Sequence, residues 1–77
     1  MSDTVKFEIR QKLGVLSENP KSGWTKEANI VSWNNGQGKL DIRDWNPDHT
    51  KMSKGITLAE DEARALGSAL SRLFGGE

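Results

Sequence analysis

Cysteine and tyrosine are absent from this chain of 77 residues, and histidine occurs once. Without thiols there is neither a disulfide framework nor a thiolate metal site to reinforce a small fold. The residues that remain offer little to catalysis: there is no nucleophile elbow, no phosphate-cradling glycine loop and no metal-ligand spacing. Asp41 and Asp44 fall on opposite faces of a strand and cannot act as an acid–base pair. Glu60-Asp61-Glu62 reads as a helix start, and His49, following Pro47-Asp48, reads as a turn cap. The expectation is a protein that is not an enzyme and takes no cofactor, metal or small-molecule substrate. Long apolar runs are missing too, since no stretch approaches the ~20 residues that span a bilayer. Met1-Ser2-Asp3-Thr4 also lacks the charged head and apolar run of a leader. A soluble cytoplasmic protein without a membrane partner is expected.

An excess of charge of either sign is likewise missing: eleven Lys and Arg balance eleven Asp and Glu. The two signs are not evenly spread. Met1 to Ile56 carries nine basic against seven acidic residues, and Thr57 to Glu77 carries two against four. A polyanion responds to the face within a Debye length of ~8–10 Å, so an acidic far side need not cancel a basic near side. Charge alone favours the plainer account, a solvated surface of mixed charge. The length allows one domain, and a fold of about this size hides only ~60% of the surface its unfolded chain exposes. Self-association is the remaining source of stability.

Apolar residues on odd positions, Val5, Phe7, Ile9, Leu13 and Val15, predict a first strand over 5–17 with one apolar side. Gly14 marks a bulge or bend in it. Glu18 to Gly23 is a loop dense in turn formers, and a second strand runs from Trp24 to about Asn34. Asn35-Gly36 is a hairpin signal, the third strand is Lys39 to Trp45, Asn46 to Ser53 forms a proline corner, and Lys54 to Leu58 is a short fourth strand. From Glu60 the period changes: Ala63, Leu66, Leu70, Leu73 and Phe74 form one apolar stripe on a helix of about four turns that Gly75-Gly76 ends. Its start is open between an N-cap at Ala59 and a capping box at Thr57-x-x-Glu60. Gly67 on the stripe is either neutral drift or the place where another helix comes close. Four antiparallel strands followed by one helix make an α+β unit with one sheet face uncovered.

That uncovered face draws attention to Asp41-Ile42-Arg43-Asp44-Trp45. Strand parity places Lys39, Asp41, Arg43 and Trp45 on one side and Leu40 and Ile42 on the other. The first side reads as a binding surface, not a core. Three tryptophans, Trp24, Trp33 and Trp45, stand near strand ends, an unusual share for a chain with two phenylalanines.

The ordered set Asp41-Ile42-Arg43-Asp44-Trp45, a proline turn, Lys54-Gly55-Ile56-Thr57-Leu58 and an acidic amphipathic helix resembles the single-strand-binding domain of transcriptional positive cofactor four. The bacterial YdbC-like branch is the nearer likeness, through Phe7-Glu8-Ile9, Leu16-Ser17-Glu18-Asn19 and Pro47-Asp48-His49-Thr50-Lys51-Met52. The resemblance implies a homodimer of curved sheets, its interface formed by Leu66, Gly67, Leu70, Leu73 and Phe74. It further implies a coactivator-like, nucleoid-associated protein that binds single-stranded DNA or RNA without sequence preference, in transcription, replication or repair. Trp33 and Trp45 would stack on bases, each worth ~1–3 kcal/mol. Arg43, Lys54, Gly55, Lys39 and Lys51 would meet the backbone, with Lys26 a further candidate that parity places on the face opposite Trp33. Trp24 is left to packing. Asn35 and Gln37 stand where the eukaryotic relatives carry hairpin lysines. Two other readings are a protein-interaction dimer that keeps the fold without nucleic-acid binding, and an OB-like RNA binder, against which the helical period after Glu60 counts.

Overall fold

The computed structural model describes residues 6–75. Strands β1 (Phe7–Glu18), β2 (Thr25–Trp33), β3 (Lys39–Trp45) and β4 (Ile56–Leu58) form one antiparallel sheet in the order β1-β2-β3-β4, and helix α1 (Glu60–Leu73) follows. The helix lies against β3 and β4, where Ala59 and Ala63 share a shallow hollow with Ile30 and Leu40. Those residues lie on one side of the sheet, the helix face. Glu27, Asn29, Val31 and Trp33 of β2 and Asp41, Arg43 and Trp45 of β3 lie on the other, the open face. Val5, expected to start the first strand, lies outside the described residues.

β1 departs most from the alternation read in its sequence. Its pairing with β2 slips by one residue three times, between Ile9 and Gln11, Lys12 and Gly14, and Val15 and Ser17. Ile9, Lys12, Val15 and Glu18 therefore stand opposite the open-face residues Val31, Asn29, Glu27 and Thr25, a spacing of three where the alternation predicted two. Arg10, Leu13 and Leu16 are the extra residues of the three bulges. Each bulge bends its strand and adds twist.

The accumulated bend is visible in the rings. Trp33 and Trp45 sit at opposite ends of the β2–β3 pair, because Trp45 pairs with Thr25, eight residues from Trp33. A straight strand would separate those ends by about 26 Å. Phe7 nevertheless contacts both, its ring centroid 5.9 Å from Trp33 and 5.1 Å from Trp45. The open face is thus deeply concave, and its two ends fold toward each other. The fully covered side chains Trp45, Val31, Asn29 and Asp41 lie on it. The face read as a binding surface is where this molecule keeps its core.

The connections hold the bend. At the β2–β3 turn the left-handed residues are Asn34 (φ 52°) and Asn35 (φ 65°), closed by the Gly36 N–H donating to the Trp33 carbonyl at 2.9 Å. The turn therefore centres one residue earlier than the Asn35-Gly36 signal. Asparagine tolerates this backbone well enough to take both places. α1 starts after Ala59, whose N–H donates to the Glu62 carboxylate at 2.9 Å, while Thr57 belongs to β4. Glu60, Asp61 and Glu62 then lie in the first turn and Arg72 in the last, as the helix dipole favours. No α1 residue is buried, and Leu70, Leu73 and Phe74 are largely exposed.

β4 reaches β3 only because residue 55 has no side chain. A Cβ on Gly55 would overlap Arg43 Cβ and the Ile42 carbonyl oxygen, and the latter is backbone that cannot turn aside. We expect Gly55→Ala to cost about 1–3 kcal/mol, which in a domain this small lowers the melting temperature by about 4–8 °C per kcal/mol. Thermal unfolding followed by circular dichroism checks this; an unchanged midpoint would mean that the two strands separate without penalty.

Candidate nucleic-acid interface

The concave face holds two buried carboxylates, each answered by a specific set of donors. Asp41, fully covered, accepts two parallel bonds from Arg43, Nε to Oδ1 at 2.7 Å and Nη2 to Oδ2 at 2.8 Å, and a third from the Thr57 hydroxyl at 3.0 Å. Arg43 also donates from Nη1 to the Ser53 carbonyl at 3.2 Å, and its guanidinium carbon lies 4.7 Å from the centroid of the Trp33 ring. A buried ion pair keeps its charges at tolerable cost only when the remaining bonding capacity is met, as it is here. Glu27 accepts from the Thr25 hydroxyl at 2.5 Å and from Asn29 Nδ2 at 3.2 Å, and lies 2.9 Å from His49 Nε2. Burial pushes the Glu27 carboxyl toward higher pKa, but bonds from Thr25, Asn29 and His49, with the charge of His49, outweigh it and hold the group below its ordinary value. Asp48, exposed in the corner, is also held low, chiefly by the Thr50 hydroxyl and N–H.

The corner after β3 closes over this face. Asn46 Oδ1 accepts the N–H groups of Thr50 and Lys51, both at 2.9 Å, and Trp45 bridges to Met52. This turn carries His49 at φ 60° onto Trp45, ring centroids 5.5 Å apart and planes inclined by 25°.

The positions expected to meet nucleic acid are therefore differently placed. Trp45 is fully buried between Phe7 and His49, so its ring offers no free face to a base. Trp33 is partly exposed, but Arg43 covers one side of it. The indole N–H groups of both are buried and have no acceptor among the described residues, so neither is placed to donate to a base edge. The charge of Arg43 is matched by Asp41 and its side chain is 13% exposed, which leaves little for a phosphate. Lys26 lies on the helix face, paired with Asp44 at 3.1 Å, away from Trp33 as its parity indicated. Lys39, Lys51 and Lys54 are exposed and form no ion pair among the described residues. Gly55 serves the approach of β4 to β3. Lys12, which strict alternation would put on the side opposite Phe7 and Ile9, comes opposite Asn29 on the open-face side.

Comparison with known proteins gives this sheet a lineage. Residues 21–69 match the model of the family described as transcriptional coactivator p15 (PC4), a span running from the β1–β2 turn into the second half of the helix. The chain belongs to the PC4 family. An uncharacterized protein of Treponema pallidum (strain Nichols) is 38% identical over 73 residues, covering 95% of this chain and 85% of that protein. Within the PC4 match lie Trp33, Arg43, Trp45, His49 and Gly55, while β1 with its three bulges lies before it.

The low pKa of Glu27 has a consequence for folding. A carboxyl held below its unfolded value adds stability that is present above that value, 4.5, and lost as pH falls through the folded one. Glu27→Gln should therefore lower stability at neutral pH and make the loss on acidification shallower, as read by urea unfolding at a series of pH values. Parallel curves for the two proteins would show that Asp48 and other carboxylates account for the acid limb.

Proposed function

We propose that this PC4-family chain binds single-stranded DNA or RNA without sequence preference across the rim of its concave face. In this reading it acts as a homodimer in the cytoplasm, nucleoid-associated, in transcription, replication or repair, with no catalytic step. The observation that carries the reading is the Arg43 guanidinium lying over Trp33 on the open face, in a chain whose Lys39, Lys51 and Lys54 are exposed and form no ion pair among the described residues. Unstacked bases have flat faces that lie on such planes with little regard to sequence, and lysines hold the backbone. A duplex keeps its bases stacked on each other and gains only the second term. Arg43 in this scheme orients the plane and the lysines take the phosphates.

Binding is expected to be strong for oligo-dT and weak for the matching duplex. Its affinity should fall with salt at about −0.7 log units per log unit of salt for each phosphate contacted. Changing both Lys51 and Lys54 to Ala should flatten that slope by roughly 1.4 for two contacts, whereas Lys26→Ala should leave it intact. Fluorescence anisotropy titration at several salt concentrations measures all of these. Equal affinity for single strand and duplex, or no binding of either, would turn the interpretation toward the protein-interaction dimer. The filled concave face, with its charges matched internally, favours that second account.

The dimer rests on the helix. Leu73 and Phe74 are 71% and 78% exposed and Leu70 is 44% exposed, an apolar stripe that this sheet does not cover. An added Cβ on Gly67 would meet nothing within 4 Å, so no packing within the chain calls for glycine at this position. In a lone chain Leu73→Asp would change stability by only about 0.5 kcal/mol, as exposed substitutions do. In a dimer that buries the stripe it should break the assembly, and light scattering should then report the 8.5 kDa single chain. An unmodified chain that already runs at that mass at micromolar concentration would remove the dimer from this proposal.

A further inference from the structure

We propose that His49 is a base-stacking residue of the concave face, presenting its imidazole to a nucleobase with the Trp45 indole as backing. The inference rests on the single-strand-binding reading above. As a turn cap, His49 would be expected to satisfy the corner with its side chain, and it does not. The corner's bonds are made by Asn46 Oδ1, by Asp48 Oδ1 and by the His49 N–H donating to the Asn46 carbonyl at 3.0 Å. The imidazole faces the other way.

Holding a histidine in the left-handed region costs free energy, and such backbone persists where the surroundings demand it. Here the surroundings are one face of the ring on Trp45 and the Nε2 edge on Glu27. No further hydrogen bond or ring contact of the imidazole is present among the described residues, and the side chain is 29% exposed above an indole that is fully covered. A ring fixed in tilt and rotation by two contacts, with part of its surface left open, is the arrangement a stacking platform requires. Histidine rings and guanidinium planes both serve unstacked bases in this way. Arg43 stands over Trp33 in a similar relation, so each indole carries a smaller planar group against it. Lys51, exposed two residues beyond His49, would meet the adjoining phosphate in this scheme.

Because this is the chain's only histidine, its ring protons can be followed in the unmodified protein by proton NMR without assignment. Added oligo-dT should move both carbon-bound ring protons upfield, and an abasic oligonucleotide of equal length should not. His49→Asn keeps a residue that tolerates the left-handed backbone while removing the ring, and leaves Glu27 with Thr25 and Asn29 as donors. It should weaken oligo-dT binding by about 5-fold to 150-fold, the equivalent of ~1–3 kcal/mol for one stacked base, with the salt slope unchanged and abasic binding unaffected. Ring protons that stay in place while oligo-dT binds, or equal losses on both oligonucleotides, would overturn the assignment and leave single-strand binding standing. Failure of the unmodified protein to bind oligo-dT at all would instead remove the reading on which the assignment rests.

Discussion

Four strands and one helix enclose a core only if the sheet closes toward itself, and the three register slips of β1 supply that bend. Once the ends of the sheet approach, Phe7 can touch both Trp33 and Trp45, and the large rings fill the hollow that the bend creates. The helix is then not needed to cover them. It rests on the other face through small residues, Ala59 and Ala63, with Leu70, Leu73 and Phe74 left outside. A flatter sheet would have needed that stripe for its own core.

Filling a concave face with a sheet's own side chains constrains which polar groups can remain there. Asp41 and Glu27 sit too deep for water to serve them, so each is held by side chains from β2, β3, β4 or the corner. The groups that answer the carboxylates, Arg43 and His49, are flat and lie against the indoles. Charge matching inside and the shape of the outer surface are thereby tied to the same two side chains. A change at either one alters both.

Much of this was legible in the sequence. The bounds of β3, the helical period from Glu60 and the common face of Asp41, Arg43 and Trp45 follow from parity and period, and the family was recognisable in the ordered run from Asp41 to Leu58. The cap, left open between Ala59 and Thr57, was decided by the structure for Ala59. β1 was misread because alternation is blind to bulges: only Gly14 hinted at one, while Arg10 and Leu16 look like any strand residues. The burial of Trp45 was illegible for a different reason. Parity says which residues share a face, but not that a corner will fold over it. The tie between Glu27 and His49 spans 22 residues of chain. Its one local trace was the alternate polar series Thr25, Glu27, Asn29 on the parity of Trp33, a series that reads equally well as the solvated face of an ordinary antiparallel sheet.

The bulges of β1 also govern what can lie beside it. As the outer strand of the sheet, twelve residues long, it offers a row of unpaired backbone donors and acceptors along its free side. A regular strand of that length would invite a second chain to zip onto it and extend the sheet without limit. Slips after Ile9, Lys12 and Val15 break the spacing of those groups every few residues, so an incoming straight strand would fall out of step before it had made more than a few bonds. The same irregularity that shapes the interior thus gives this small protein a built-in resistance to edgewise aggregation.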